Sequence, residues 1–253
     1  MSNLFFHRVP FQGLRARKAW KGRSLELLGL TFRSPLGLGS CDSEGKQFRE
    51  LARFGFSFIE IGPFKGDLAL THNILNVIEK IRQRGEKNPL LGVSIIYPDP
   101  DADNSALETS LRAASLLYDF VDYFCVVLPD NASKSILEGR FCEELLDIRL
   151  RDDSYKPVII QIPAGFPAEF MEDTLSFAMM SGIDAIVASG SSNTRTVIDT
   201  TKGRIPVIAS VAEYSEACSA LKEGASLIRL DPKKGYPSGR RTIKLLKELS
   251  KCQ

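Results

Sequence analysis

The chain has 253 residues, 43% hydrophobic and 25% charged, enough apolar material for a sizeable core and too much for a disordered or collagen-like chain. Its 33 basic and 31 acidic side chains leave a net charge of +2, which removes any global electrostatic case for nucleic acid or anionic membrane as the main partner. With only His7 and His72, a zinc cluster or a Ser-His-Asp triad has almost no material to be built from. Cys41, Cys125, Cys142, Cys218 and Cys252 are scattered, with no C-x-x-C pair, so they read as reduced thiols without a metal. No apolar run approaches the roughly 20 residues of a membrane span, and Met1 to Trp20 lacks the apolar stretch of a signal peptide. A soluble, cytoplasmic protein is expected.

Residues 1–23 form a basic segment, with Arg8, Arg15, Arg17, Lys18, Lys21 and Arg23 ahead of the first acid, Glu26. It reads as a solvated tail, with an anionic lipid surface or an acidic partner as the alternatives. Two short apolar stretches, Leu25 to Leu28 and Leu30 to Arg33, flank Gly29 and predict a hairpin that closes one end of the domain.

Short apolar runs then alternate with helix-period segments. Strands are predicted at Leu36–Gly39, Phe56–Ile61, Leu91–Ile96, Tyr123–Leu128, Val158–Ile162, Ala185–Ala188, Val207–Ala209 and Leu227–Leu230. Helical stripes fall on Phe48, Leu51 and Ala52; on Ile74, Val77, Ile78 and Ile81; and on Leu107, Leu111, Ala114 and Tyr118. Two more fall on Phe170, Leu175, Ala178 and Met179, and on Ala217, Ala220 and Leu221. Gly55, Gly182 and Gly224 stand where a left-handed residue ends a helix. Eight β-then-α units across residues 24–253 predict a single-domain (β/α)₈ TIM barrel, for which roughly 250 residues are typical; a doubly wound open sheet fits the periodicity nearly as well.

In a barrel, chemistry belongs to the loops after the strands' C-terminal ends. The run Ser189 to Asn193, small hydroxyl and amide residues around a glycine, suits an anion or an ordinary helix cap. Lys233 and Lys234 follow the eighth strand, where many barrels hold phosphate; this leaves open an enzyme acting on a phosphorylated metabolite. Asp42 and Glu44 share one loop but lack an identifiable apolar pocket for acid or base work. Cys125, inside Y-F-C-V-V-L, reads as a buried hydrophobe.

The stretches L-G-L-T-F-R-S-P-L-G-L-G-S-C-D-S-E-G (Leu28 to Gly45) and L-A-R-F-G-F-S-F-I-E-I-G (Leu51 to Gly62) resemble the opening of dihydroorotate dehydrogenases, especially the quinone-linked class. The resemblance continues through L-G-V-S-I, D-Y-F-C-V-V, P-V-I-I-Q-I, G-I-D-A-I-V-A-S, G-R-I-P-V-I-A-S and G-A-S-L-I-R-L. It implies an FMN-containing barrel that oxidises dihydroorotate, a small cyclic acid, to orotate in pyrimidine biosynthesis. It also implies peripheral membrane or quinone contact through the basic N-terminus.

The resemblance places Gly39, Ser40, Ser43, Ser94, Gln161, Ser189, Ser210, Val211 and Ala212 around the flavin and Asn131 on the substrate. Several of these depart from the family pattern. Ser43 and Gln161 stand where the family has lysines, Ser94 where it has asparagine, and Ser189-Gly190 where it has a T-N pair. Leu128 or a gap replaces the catalytic serine, and Val211-Ala212 replace paired glycines beside the phosphate. The chain also reads as a few tens of residues short after Gly62 and after Asn193. These replacements set an alternative beside the flavoenzyme: a catalytically degenerate barrel acting as a binding or partner protein.

Overall fold

The computed structural model describes residues 18–39, 48–65, 72, 75–76, 89–98, 104–130, 140–149, 154–231 and 238–252. Eight strands close into one parallel barrel: β3 (Leu36–Leu38), β4 (Phe58–Phe64), β5 (Leu90–Ile96), β6 (Tyr123–Val127), β7 (Val158–Ile162), β8 (Ala185–Ser189), β9 (Val207–Val211) and β10 (Leu227–Leu230). Closure is made by β10, which pairs with β3 from Ile228 opposite Leu36 to Leu230 opposite Leu38. The Gly39 N–H then donates to the Leu230 carbonyl at 2.7 Å. The strands are buried on both faces, one by the helices and one by the interior, which is why they read as apolar runs.

The predicted hairpin is present as β1 (Leu25–Leu27) and β2 (Leu30–Phe32), turned through Leu28 and Gly29, both with positive φ. It plugs the N-terminal end of the barrel. The Phe32 ring meets Phe58 edge-on at 5.6 Å and Phe58 meets Tyr123 at 6.3 Å, so a ladder of rings fills the lower interior. Leu25, Leu27, Leu28 and Leu30 pack beneath these rings.

The end of the basic segment is docked. Ala19 is buried, and the Lys21 N–H donates to Ser250 Oγ at 3.1 Å. Residues 1–17 of that segment lie outside the described residues.

Among the described residues the α-helices are α1 (Phe48–Leu51), α2 (Asn104–Leu117), α3 (Arg140–Ile148), α4 (Met171–Ser181), α5 (Ser191–Thr201), α6 (Ala217–Glu223) and α7 (Gly239–Leu249). The predicted stripes on α2, α4 and α6 face the barrel, with Leu111, Ala114, Leu175, Ala178, Ala217 and Ala220 buried. The stripe from Ile74 to Ile81 lies outside the described residues. Gly55, Gly182 and Gly224 take φ of +92°, +82° and +114° at helix ends, as expected.

Two helices, α3 and α7, have no counterpart in the sequence reading. Their stripes, Phe141, Cys142 and Leu145 in one and Thr242, Leu245, Leu246 and Leu249 in the other, are narrow and set among charges. The second barrel strand also runs further than expected, to Phe64, because a register shift between Ile61 and Phe64 carries the chain past Gly62 and back into pairing with Ile95.

One helix ends on a side chain where glycine would serve better. Lys202 closes α5 at φ +49° and is exposed. Lys202→Gly is expected to raise stability by about 0.5–1 kcal/mol, the left-handed cost of an L-residue less the extra unfolded-state entropy of glycine. Urea unfolding of the two proteins measures it. Among the described residues, no helix is long and apolar enough to cross a membrane.

Candidate functional site at the barrel mouth

Side chains alternate inward and outward along each strand. The inward rows begin apolar at the plugged end, with Phe58, Tyr123, Ile159, Ala185, Ile208 and Leu227, and turn polar toward the strands' C-terminal ends. There stand Glu60 (β4), Ser94 (β5), Gln161 (β7), Ser189 (β8), Ser210 (β9) and Arg229 (β10), followed by Asp231. This is the end where a barrel of this class does its chemistry.

Arg229 organises the group. It is 1% exposed, and its Nη1 donates to Glu60 Oε2 at 2.8 Å. Its Nη2 and Nε donate to Asp231 Oδ2 at 2.6 and 3.1 Å. Glu60 is fully buried and accepts two further bonds, from Ser94 Oγ at 2.8 Å and from the Tyr123 hydroxyl at 3.2 Å. Ser210 donates its hydroxyl to Asp231 Oδ2. Cys125 Sγ lies 3.8 Å from Arg229 Nη1. Outside this network, Gln161 Nε2 donates to Ser189 Oγ at 3.3 Å.

Burial pushes the Glu60 carboxyl above the ordinary glutamate range, and Arg229 is the main influence pulling it back. Burial also works against the Arg229 charge, but Asp231 and Glu60 outweigh it and hold the guanidinium protonated. Burial raises the Cys125 thiol far above its usual range, so this residue is the inert core cysteine that the sequence predicts.

The family resemblance puts ten residues around a flavin and its substrate, and three of them are not among the described residues. Ser40, Ser43 and the substrate residue Asn131 lie outside the described residues, as do Lys233 and Lys234. Ser94 is 0% exposed and donates its hydroxyl to Glu60. Ser210 is committed to Asp231, and Gln161 and Ser189 to each other. Val211 is buried, and Ala212 follows it at the end of β9.

At Gly39, where a bare backbone would let a ligand approach, the chain's own carboxylate has moved in. A Cβ built on Gly39 would fall 1.5 Å from Asp231 Oδ1. Asn193 is equally occupied: its Nδ2 donates to the Pro163 carbonyl at 2.9 Å, tying the first turn of α5 to the loop after β7.

A flavin phosphate is a dianion, and a reduced flavin ring carries negative charge. The network at the mouth holds two carboxylates against one guanidinium, its hydroxyls already donate to protein, and Gln161 brings no charge. The described residues therefore do not fit FMN. Among them there is also no group of three or more His, Cys, Asp or Glu that could hold a metal ion.

The residues that sequence reasoning missed are Glu60, Tyr123 and Arg229. A trace was present: F-I-E-I and L-I-R-L each place one charge at an inward position of an apolar run. A charge in such a strand needs a partner, but nothing local says which.

The fold and this mouth define a closed (β/α)₈ barrel whose C-terminal end carries a buried ionic network. Compared with known proteins, no protein-family model matches the chain. It is similar to the dihydroorotate dehydrogenase (quinone) of Christiangramia forsetii, 24% identical over 199 residues that cover 67% of this chain and 58% of the relative. It is likewise similar to those of Vibrio parahaemolyticus (24% over 230 residues, 77% of this chain and 68% of the relative) and Thermus thermophilus (27% over 194 residues, 65% and 56%). The chain thus spans about three fifths of the length of the curated relatives it matches. Among solved structures, it superimposes on the ligand-free DHODH from Eimeria tenella with a TM-score of 0.71 at 18% identity, covering 89% of this chain and 86% of that one. FabK from Thermotoga maritima follows at a TM-score of 0.52 and 16% identity, covering 79% and 58%.

Proposed function

We propose that this protein is a divergent member of the dihydroorotate dehydrogenase family that has kept the barrel and lost flavin redox chemistry, and that it serves as a binding or partner protein. The observation that carries this is the Glu60–Arg229–Asp231 network. It fills the inner mouth with the chain's own charges and takes up Ser94, Ser210 and the space over Gly39. The missing cation at Gln161 points the same way. A half-buried amide in place of a lysine forfeits stabilisation of developing negative charge.

The sequence likeness to quinone-linked enzymes favours a second reading, an FMN-dependent oxidation of dihydroorotate to orotate. On that reading Gln161, Ser94 and Ser189, with backbone groups after β9 and β10, hold the flavin, and Gln161 and Ser189 break their mutual bond to reach it.

One experiment separates the two readings. The protein is purified from cells, its visible spectrum recorded, FMN titrated by fluorescence quenching, and dihydroorotate oxidation followed with an artificial electron acceptor. The expected result is a colourless protein with no saturable FMN uptake and no turnover. A yellow protein, or turnover that Gln161→Ala abolishes, would overturn the proposal.

A further inference from the structure

The two carboxylates that hold Arg229 do so differently. Glu60 is buried and meets the guanidinium through Nη1. Asp231 is 30% exposed and meets it from the solvent side. A single oxygen, Asp231 Oδ2, takes three donors: Nη2 at 2.6 Å, Nε at 3.1 Å and the Ser210 hydroxyl. The other oxygen, Oδ1, occupies the space over Gly39, where a Cβ would collide with it.

A guanidinium fork is matched best by two oxygens side by side, one on each nitrogen. Asp231 stands two residues beyond Arg229 on the same strand end, and its N–H donates to the Val211 carbonyl at 2.9 Å, so the backbone sets how its side chain approaches. A free carboxylate has no such tether and can give one oxygen to Nη2 and the other to Nε. The groups that would receive it form one row, since Ser189 is the register partner of Ser210 and Ser210 that of Arg229.

We propose that Arg229 and Ser210 form a binding site for the carboxylate of a small organic acid, and that Asp231 occupies it as a built-in substitute which such an acid displaces. This rests on reading the barrel as a binding protein; Asn131, the substrate residue of the family resemblance, takes no part. On displacement the Asp231 side chain rotates into water while its backbone stays paired with Val211. The incoming carboxylate accepts from Nη2, Nε and the Ser210 hydroxyl, and the space over Gly39 is vacated. An unpaired buried guanidinium is costly, so Asp231 leaves only as another anion arrives. The exchange keeps one guanidinium between two carboxylates, whereas a phosphate dianion would add charge beside the buried Glu60.

The test uses sodium formate as the probe on the purified full chain, with sodium chloride at the same ionic strength as the reference. Asp231→Ala removes the substitute, so its unfolding temperature should fall and then rise saturably with formate but not with chloride. The wild type should bind formate at least about tenfold more weakly, because a minor state of no more than about 10% has the site open. Ser210→Ala in the Asp231→Ala chain should weaken formate about tenfold, the usual effect of losing a hydrogen bond to a charged group. Inorganic phosphate should stabilise Asp231→Ala less than formate does. Should Asp231→Ala not fold, Asp231→Asn keeps the side-chain volume and should bind formate more tightly than the wild type. An equal formate response in wild type and variant, an effect that chloride reproduces, indifference to Ser210→Ala, or a stronger response to phosphate would overturn the proposal. FMN titration of the same wild-type sample reads the binding-protein proposal separately: FMN uptake overturns that one, and the formate results decide this one.

Discussion

Arg229→Met is expected to destabilise the protein by about 3–5 kcal/mol, the usual consequence of removing one partner of a buried ion pair. Arg229 and Glu60 are 1% and 0% exposed, so solvent screening does not soften the loss. Glu60 would keep Ser94 and Tyr123 as donors but face the interior without a counter-charge.

The variant should also acquire a distinctive pH dependence. Burial already holds the Glu60 carboxyl above the ordinary glutamate range, and Arg229 is the chief influence opposing that shift. Without Arg229 the folded carboxyl rises further. The folded state then binds more protons than the unfolded state, so the slope of unfolding free energy with pH is negative. Stability is retained below the unfolded carboxyl's titration and lost as pH climbs from there through the folded value.

Glu60→Gln in the same chain removes the stranded charge, and Glu60→Gln/Arg229→Met should recover most of the loss. Asp231, 30% exposed, keeps Ser210 and water. Urea unfolding of the wild type, the single variant and the double variant at pH 5 and pH 8 measures all of this. A loss for Arg229→Met below 1 kcal/mol, or one that is the same at both pH values, would show that the pair is not what holds the mouth.

Gly62→Ala is expected to cost about 2–4 kcal/mol, combining backbone strain with overpacking. Gly62 sits at φ +121°, and a Cβ there would lie 2.4 Å from the Ser94 carbonyl oxygen and 3.3 Å from the Phe64 nitrogen. Both neighbours are backbone, so neither can swing aside. Any relief moves Ser94, whose hydroxyl supports Glu60, and the effect therefore spreads to the ionic network.

Gly203→Ala is the comparison. That glycine also has positive φ, +76°, but nothing lies within 4 Å of its Cβ position, and its cost should stay near about 1 kcal/mol. Thermal and urea unfolding of both variants separate strain from collision. Equal losses would remove the collision from the account.

Most of the barrel could be read from the chain. A parallel strand covered on both faces must be apolar along its length, so Val158–Ile162 and Leu227–Leu230 carry their own boundaries in I-I-Q-I and L-I-R-L. A left-handed helix end selects glycine, which marks Gly55, Gly182 and Gly224. The helices α3 and α7 were less legible because each buries only a narrow stripe, and the charges between the apolar positions dilute the period.

The site was least legible. Family likeness nominated Ser94 and Ser210 as ligand-facing, yet each hydroxyl is turned onto a carboxylate of the chain itself.

By itself the sequence determined the alternation of strand and helix, the hairpin that plugs one end, and the burial of Cys125, because each depends on residues near in the chain and on side-chain volume and polarity. Barrel closure decided the rest. It set Arg229 against Glu60 across 169 residues and moved Asp231 over Gly39. Ion pairs act over a few ångströms of space, whatever the length of chain between them, so no local pattern records which partner each group will meet.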